Sequence, residues 1–236
     1  MSKILLILGA GPNIGSHVAK AFSSAGYKVA IASRTAPRPA DGSDLHISVD
    51  LEKPDTVPAV FDKVRKEFGR EPSVVVYNAA IFPPDPSDTL SLFTPSNISQ
   101  YEKSQAVNSI SVLVALHEAT KSFRNAPADA SKTFIFTGNA LNVITLPGML
   151  NFGLGKTVTA YAIRHLVEQK VYAGDGISIY YADERTAQGA PVGKSVSGPA
   201  AAEEYLKLAE QKEQGPWLYT FVKGDGYKDF EKGSKL

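Results

Sequence analysis

No cysteine occurs among the 236 residues. That absence excludes disulfides, thiolate metal sites and a cysteine nucleophile. An excess of either charge is also lacking. The 25 Lys and Arg against 24 Asp and Glu leave a formal net charge of +1 with no basic run, so nothing points to a nucleic-acid partner. Long apolar stretches are missing. The N-terminal run Ile4 to Leu8 is too short to span a bilayer and leads into glycine rather than a signal-cleavage site. The four histidines, His17, His46, His117 and His165, are scattered without ligand spacing, so no metal is expected. No serine-centred nucleophile elbow is found either.

What is present is a strand–helix alternation from end to end. Apolar runs at Ile4 to Leu8, Val29 to Ala32, Leu45 to Val49, Val74 to Tyr77, Thr133 to Phe136, Ile177 to Tyr181 and Trp217 to Val222 predict about seven strands. Several are continuous rather than alternating, as parallel strands covered on both faces require. Helices are predicted over Ile14 to Ala25, Thr56 to Phe68, Ile98 to Phe123, Gly153 to Tyr172 and Ala200 to Gln214. This pattern implies one α/β domain over residues 1–236, a doubly wound parallel sheet with helices on both faces. A proline-rich stretch, Pro83 to Pro95, and a Gly/Pro-rich one, Ala187 to Pro199, read as loops, the second placed to cover a substrate.

The first strand runs into Gly9-Ala10-Gly11-Pro12-Asn13-Ile14-Gly15 and then a helix. Glycines there permit tight turning and close approach of a pyrophosphate, while the helix N-terminus supplies N–H groups and a positive dipole end. The second strand ends Ser33-Arg34 without the carboxylate that an NAD ribose calls for. Arg34 instead offers a fork for a 2′-phosphate, which favours NADP(H). The glycine turn resembles that of the short-chain dehydrogenase/reductases, a Rossmann-type family, with Leu8 for its threonine and Asn13 for its middle glycine. Asn tolerates left-handed backbone, which makes that replacement mild. Asp50-Leu51 resembles the family's pair beside the adenine, and Asn78-Ala79-Ala80 resembles the end of its Asn-Asn-Ala-Gly motif.

The resemblance also implies a catalytic set, and here the chain departs from it. Lys156 matches the family's lysine, which grips the nicotinamide ribose and lowers the pKa of a tyrosine. Asn108 matches the helix asparagine that positions a relay water. Phe152 stands where the tyrosine belongs, and Asn139 replaces the serine thirteen residues before it. Asn can still donate to a carbonyl. Phe has no proton to give, and a positioned acid is worth roughly 10²–10⁴ in rate. Substitute donors would come from Tyr180, Tyr181, Asp183, Glu184 or a water held by Asn139, although the acidic pair reads more readily as a solvated loop.

These features imply an NADP(H)-dependent oxidoreductase acting on a small molecule with a non-standard proton source. Two alternatives stand beside it: a non-redox isomerase, dehydratase or cyclase on the same scaffold, and a catalytically silent NADP(H)-binding regulator. The family resemblance implies a homodimer or homotetramer packed through the two long helices. The last three residues, Ser234-Lys235-Leu236, match the peroxisomal address, implying the import receptor as a partner.

Overall fold

Five consecutive apolar residues form β1 (Ile4–Leu8), and all five are buried because the strand lies mid-sheet with helices on both sides. The computed structural model describes residues 3–35, 42–127 and 129–230. Ser234, Lys235 and Leu236 lie outside them. The elements are β1, α1 (Ile14–Ser24), β2 (Lys28–Ser33), β3 (Leu45–Ser48), α2 (Val57–Phe68), β4 (Val74–Tyr77), α3 (Pro95–Gln105), α4 (Ser111–Asn125), β5 (Thr133–Thr137), α5 (Leu150–Glu168), β6 (Ser178–Arg185), α6 (Gly198–Glu210), β7 (Leu218–Val222) and β8 (Gly226–Tyr227).

The sheet order is β3-β2-β1-β4-β5-β6-β7-β8. The first seven strands pair in parallel, and β8 closes a short antiparallel hairpin on β7, one strand more than the apolar runs predict. A two-residue strand with a glycine has too little apolar pattern to be seen beforehand. Successive strand side chains point to opposite faces, which splits the core in two. One half joins Leu6, Phe134 and Tyr181 to α2, α4 and α5; the other joins Ile7, Ile135 and Tyr180 to α1 and α6.

Three boundaries differ from the sequence reading in ways that move site residues. The helix predicted from Ile98 begins at Pro95, the N1 position that tolerates proline, and a π turn over Ala106–Ile110 joins α3 to α4. Asn108 sits in that turn. α5 begins at Leu150 rather than Gly153, because the Asp85 carboxylate accepts from the N–H groups of Leu150 (2.8 Å) and Asn151 (3.3 Å). Phe152 is therefore inside the helix. β6 runs four residues past Tyr181, and α6 starts at Gly198, so the second predicted loop spans residues 186–197 instead of 187–199.

Candidate active site

Strand order reverses between β1 and β4, and a crevice opens there at the carboxyl ends of the strands. It is a cavity of about 580 Å³. Gly9 and Gly11 form its floor, Ser33 and Arg34 one rim, Asp50 and Leu51 the side wall, and Asn78, Ala79 and Ala80 the wall from β4. Nine sequence-predicted positions are thus brought together. Asn13, Ile14 and Gly15 are not among the lining residues. They form the start of α1, where the first-turn N–H groups have no partner within the helix.

Backbone packing explains the glycines. A Cβ at Gly9 would lie 2.4 Å from the Ala79 nitrogen, and one at Gly15 would lie 2.7 Å from Ala10 Cα. At Gly11 it would meet nothing within 4 Å among the described residues, because that position faces the crevice. Asn78 ties β4 to the turn by donating to Gly9 O at 2.8 Å. Asn13 does not take up left-handed backbone; its φ is −96°. Its side chain turns to α6 instead, donating to Val196 O at 2.8 Å and accepting from Gly198 N at 2.9 Å. Arg34 lies on the rim, 3.7 Å from the Glu52 carboxylate, with both side chains solvent-accessible.

The positions that match the family's catalytic set stand in the π turn, just after β5 and in α5. Lys156 is 3% exposed and turned inward. Its Nζ donates to Thr137 O at 2.8 Å and sits 4.3 Å from the Phe136 ring centre and 5.2 Å from that of Phe152. Burial drives its pKa down to about 7, against the opposing pull of Asp183. Phe152 packs on Phe82, ring centres 5.6 Å apart. Asn139 accepts from Leu141 N through its Oδ1 at 3.0 Å, so donation to a ligand falls to Nδ2. Asn108 is fully engaged within the protein. Its amide donates to Ile81 O (2.8 Å) and Ser104 Oγ (3.0 Å), its Oδ1 accepts from Ile81 N (3.1 Å), and its carbonyl accepts from Thr159 Oγ1 (3.0 Å).

The solvated loop expected at Asp183 and Glu184 is not there. Both are buried residues of β6. Asp183 pairs with Arg185 (Oδ2 to Nε, 2.5 Å), and Glu184 Oε2 accepts from Ser197 N at 2.6 Å. Three consecutive charges masked the strand, yet no glycine, proline, asparagine or serine stands between Ser178 and Gly189 to end it. That was the signal available. Of the two tyrosines, Tyr180 faces the α6 side, and its hydroxyl accepts from Gly215 N in the segment after that helix at 2.9 Å. Tyr181 faces the site side, its ring lying where a Cβ on Gly138 would come within 2.0 Å, and its hydroxyl donates to Asn139 O at 2.8 Å. Burial raises the Tyr181 pKa, so the phenol stays protonated. Arg185, Phe82 and Glu52 carried no sequence motif.

Comparison with known proteins agrees with this geometry. A family model described as short chain dehydrogenase matches residues 3–137. The short chain dehydrogenase/reductase dmxR12 of Cryptosporiopsis sp. (strain 8999) is 43% identical over 241 residues, spanning 97% of this chain and 95% of that protein. Among solved structures, the NADH-dependent reductase A1-R′ responsible for alginate metabolism superposes with a TM-score of 0.77 at 18% identity, covering 94% of this chain and 96% of that one. An alcohol dehydrogenase from the archaeon Thermococcus sibiricus, complexed with 5-hydroxy-NADP, gives 0.72 at 17% identity, covering 98% and 100%. From the glycine turn, the sheet order and these matches together, the chain belongs to the short-chain dehydrogenase/reductase family.

Proposed function

We propose that this chain is an NADP(H)-binding oxidoreductase acting on a small-molecule metabolite. The observation that carries the reading is the switch-point crevice itself, walled by the predicted cofactor residues and left open above Gly11. The residues fit the cofactor. Gly9, Gly11 and the start of α1 would hold the pyrophosphate, Asp50 and Leu51 the adenine end, and Arg34 a 2′-phosphate. Glu52 does not prevent this, since an exposed ion pair is worth only about 0–1 kcal/mol and exchanges readily for a bidentate phosphate contact. A bound nicotinamide would supply hydride chemistry; the protein supplies orientation, exclusion of water and a proton.

Fluorescence titration with NADPH and NADH tests the reading. NADPH should bind and NADH should bind much more weakly. Arg34→Ala should weaken NADPH by about tenfold or more and leave NADH nearly unchanged. Binding of neither nucleotide overturns the proposal. A non-redox reading draws on a different observation: Phe152 has no proton to pass, and every polar atom of Asn108 is already engaged within the protein. Bound NADPH that reduces no carbonyl, alkene or imine would favour it.

Assembly into a homodimer or homotetramer is part of the same proposal. Ile110 in the π turn that packs on α5, Leu113 on α4, and Leu154, Val158 and Tyr161 on α5 are exposed apolar side chains. Val158→Glu should convert an oligomer to monomer by light scattering, with little loss of fold. A wild-type monomer at micromolar concentration would refute this.

A further inference from the structure

β6 does not end where its inner neighbour ends. β5 pairs with it only as far as Thr137 opposite Ala182, while Asp183, Glu184 and Arg185 continue the strand against β7 alone. Alternation turns Asp183 and Arg185 to the side of Tyr181, the face covered by α4 and α5, and turns Glu184 to the opposite side. The Asp183–Arg185 pair is almost free of solvent, and Arg185 is anchored further by donating from Nη1 to Gly189 O at 2.9 Å. Lys156 reaches the same place from α5. Its Nζ rests on the carbonyl of Thr137, whose strand partner is the residue immediately before Asp183. Lys156, Asp183 and Arg185 are therefore three buried charged side chains on one face of the sheet, Lys156 over the Phe136 and Phe152 rings and the other two on the overrun of β6. Burial acts on the proton equilibria of Asp183 and Lys156.

We propose that Asp183, through space and without a direct ion pair, governs how firmly Lys156 holds its proton directly behind the position where the family's tyrosine is missing. Asp183 is thus a positioning residue that acts through Lys156. The direction of both shifts agrees with the geometry: burial pulls Lys156 down to about 7 and pushes Asp183 up to about 6, and each opposes the shift of the other. The remaining titratable neighbours do not compete. Tyr181 from β6 and Tyr205 from α6, whose hydroxyl bonds Thr137 Oγ1 at 3.0 Å, are raised by burial and stay neutral. Glu184, on the far face, is raised by burial and held by Ser197 N–H.

The use of this proton in turnover rests on the reductase reading; the coupling of Asp183 to Lys156 is a property of the ligand-free chain. The test is therefore made without cofactor, by following ¹³C-labelled lysine side chains by NMR from pH 5 to 10. The Lys156 signal is assigned by its loss in Lys156→Met. In the parent protein Lys156 should titrate near neutrality. Asp183→Asn should lower its midpoint by about one unit or more, a roughly tenfold change in acidity, and Asp183→Glu should restore it. Asp183→Asn also strands a buried guanidinium, so a reciprocal measurement guards against loss of fold. By linkage, Lys156→Met should raise the Asp183 midpoint, read from carboxyl ¹³C shifts, by a matching amount. Titration of Lys156 at an ordinary lysine value, or an unmoved Asp183 in Lys156→Met, overturns the proposal. Because NADPH is absent throughout, its failure to bind would sink the cofactor reading and leave this one standing.

Discussion

At the scale of single residues the site turns on Phe152. Its ring lies between Lys156 and Phe82, so the place of a phenol is held by an apolar pair and an inward-facing ammonium. Restoring the hydroxyl adds one polar atom beside a cation that can lower its pKa. Phe152→Tyr should raise carbonyl reduction with NADPH by about 10²–10⁴, and NADPH affinity should stay within about twofold. Steady-state kinetics with a panel of ketones measures the first and fluorescence the second. An unchanged rate would mean that the proton already comes from elsewhere, or that hydride transfer is not this protein's chemistry.

At the scale of elements, the site is built by three unusual junctions. The π turn places Asn108 against α5, and Gly155 makes the approach possible, since a Cβ there would lie 2.6 Å from Asn108 Cβ. The overrun of β6 carries Asp183 and Arg185 past the end of β5 on the Tyr181 side of the sheet. The third junction is the crossing of α1 and α6, where Gly198 leaves no room for a Cβ against Asn13 and His17. Asn13 fastens this crossing with both ends of its amide. Asn13→Ala should destabilise the fold by about 1–3 kcal/mol, because it removes two hydrogen bonds and leaves their backbone partners unpaired. Urea unfolding measures this. The predicted mild replacement of a turn glycine is thus a helix-to-helix clasp.

At the scale of the whole molecule, burial of Lys156 and Asp183 should shape stability against pH. The folded pKa of Lys156 is depressed, so between about 7 and the ordinary lysine value the unfolded chain binds the extra proton, and stability rises with pH across that window. The folded pKa of Asp183 is raised, so its contribution is lost as pH climbs from the ordinary aspartate value through about 6. Together they are least favourable between pH 6 and 7. Lys156→Met should therefore be more stable than the parent by about 1–4 kcal/mol near pH 7, and the gap should narrow toward pH 10. Urea titrations at the two pH values decide it; a gap that widens would contradict the sign.

Much of this was written in the chain. Continuous Val, Ile and Leu runs set the parallel strands, glycines capped the turns, and the Gly9–Gly15 stretch with Asn78 located the crevice, because each signal is local and depends on backbone sterics or periodicity. What stayed hidden depended on contacts between distant segments. The sequence Asp183-Glu184-Arg185 reads as surface until β7 pairs with it and α5 brings Lys156 alongside, and Asn13 reads as a turn residue until Gly198 arrives 185 positions later. The sequence alone determined the sheet, its family and the loss of the phenol. Only the tertiary structure decided where the remaining charges went, since burial and pairing are properties of neighbours that the chain order does not record.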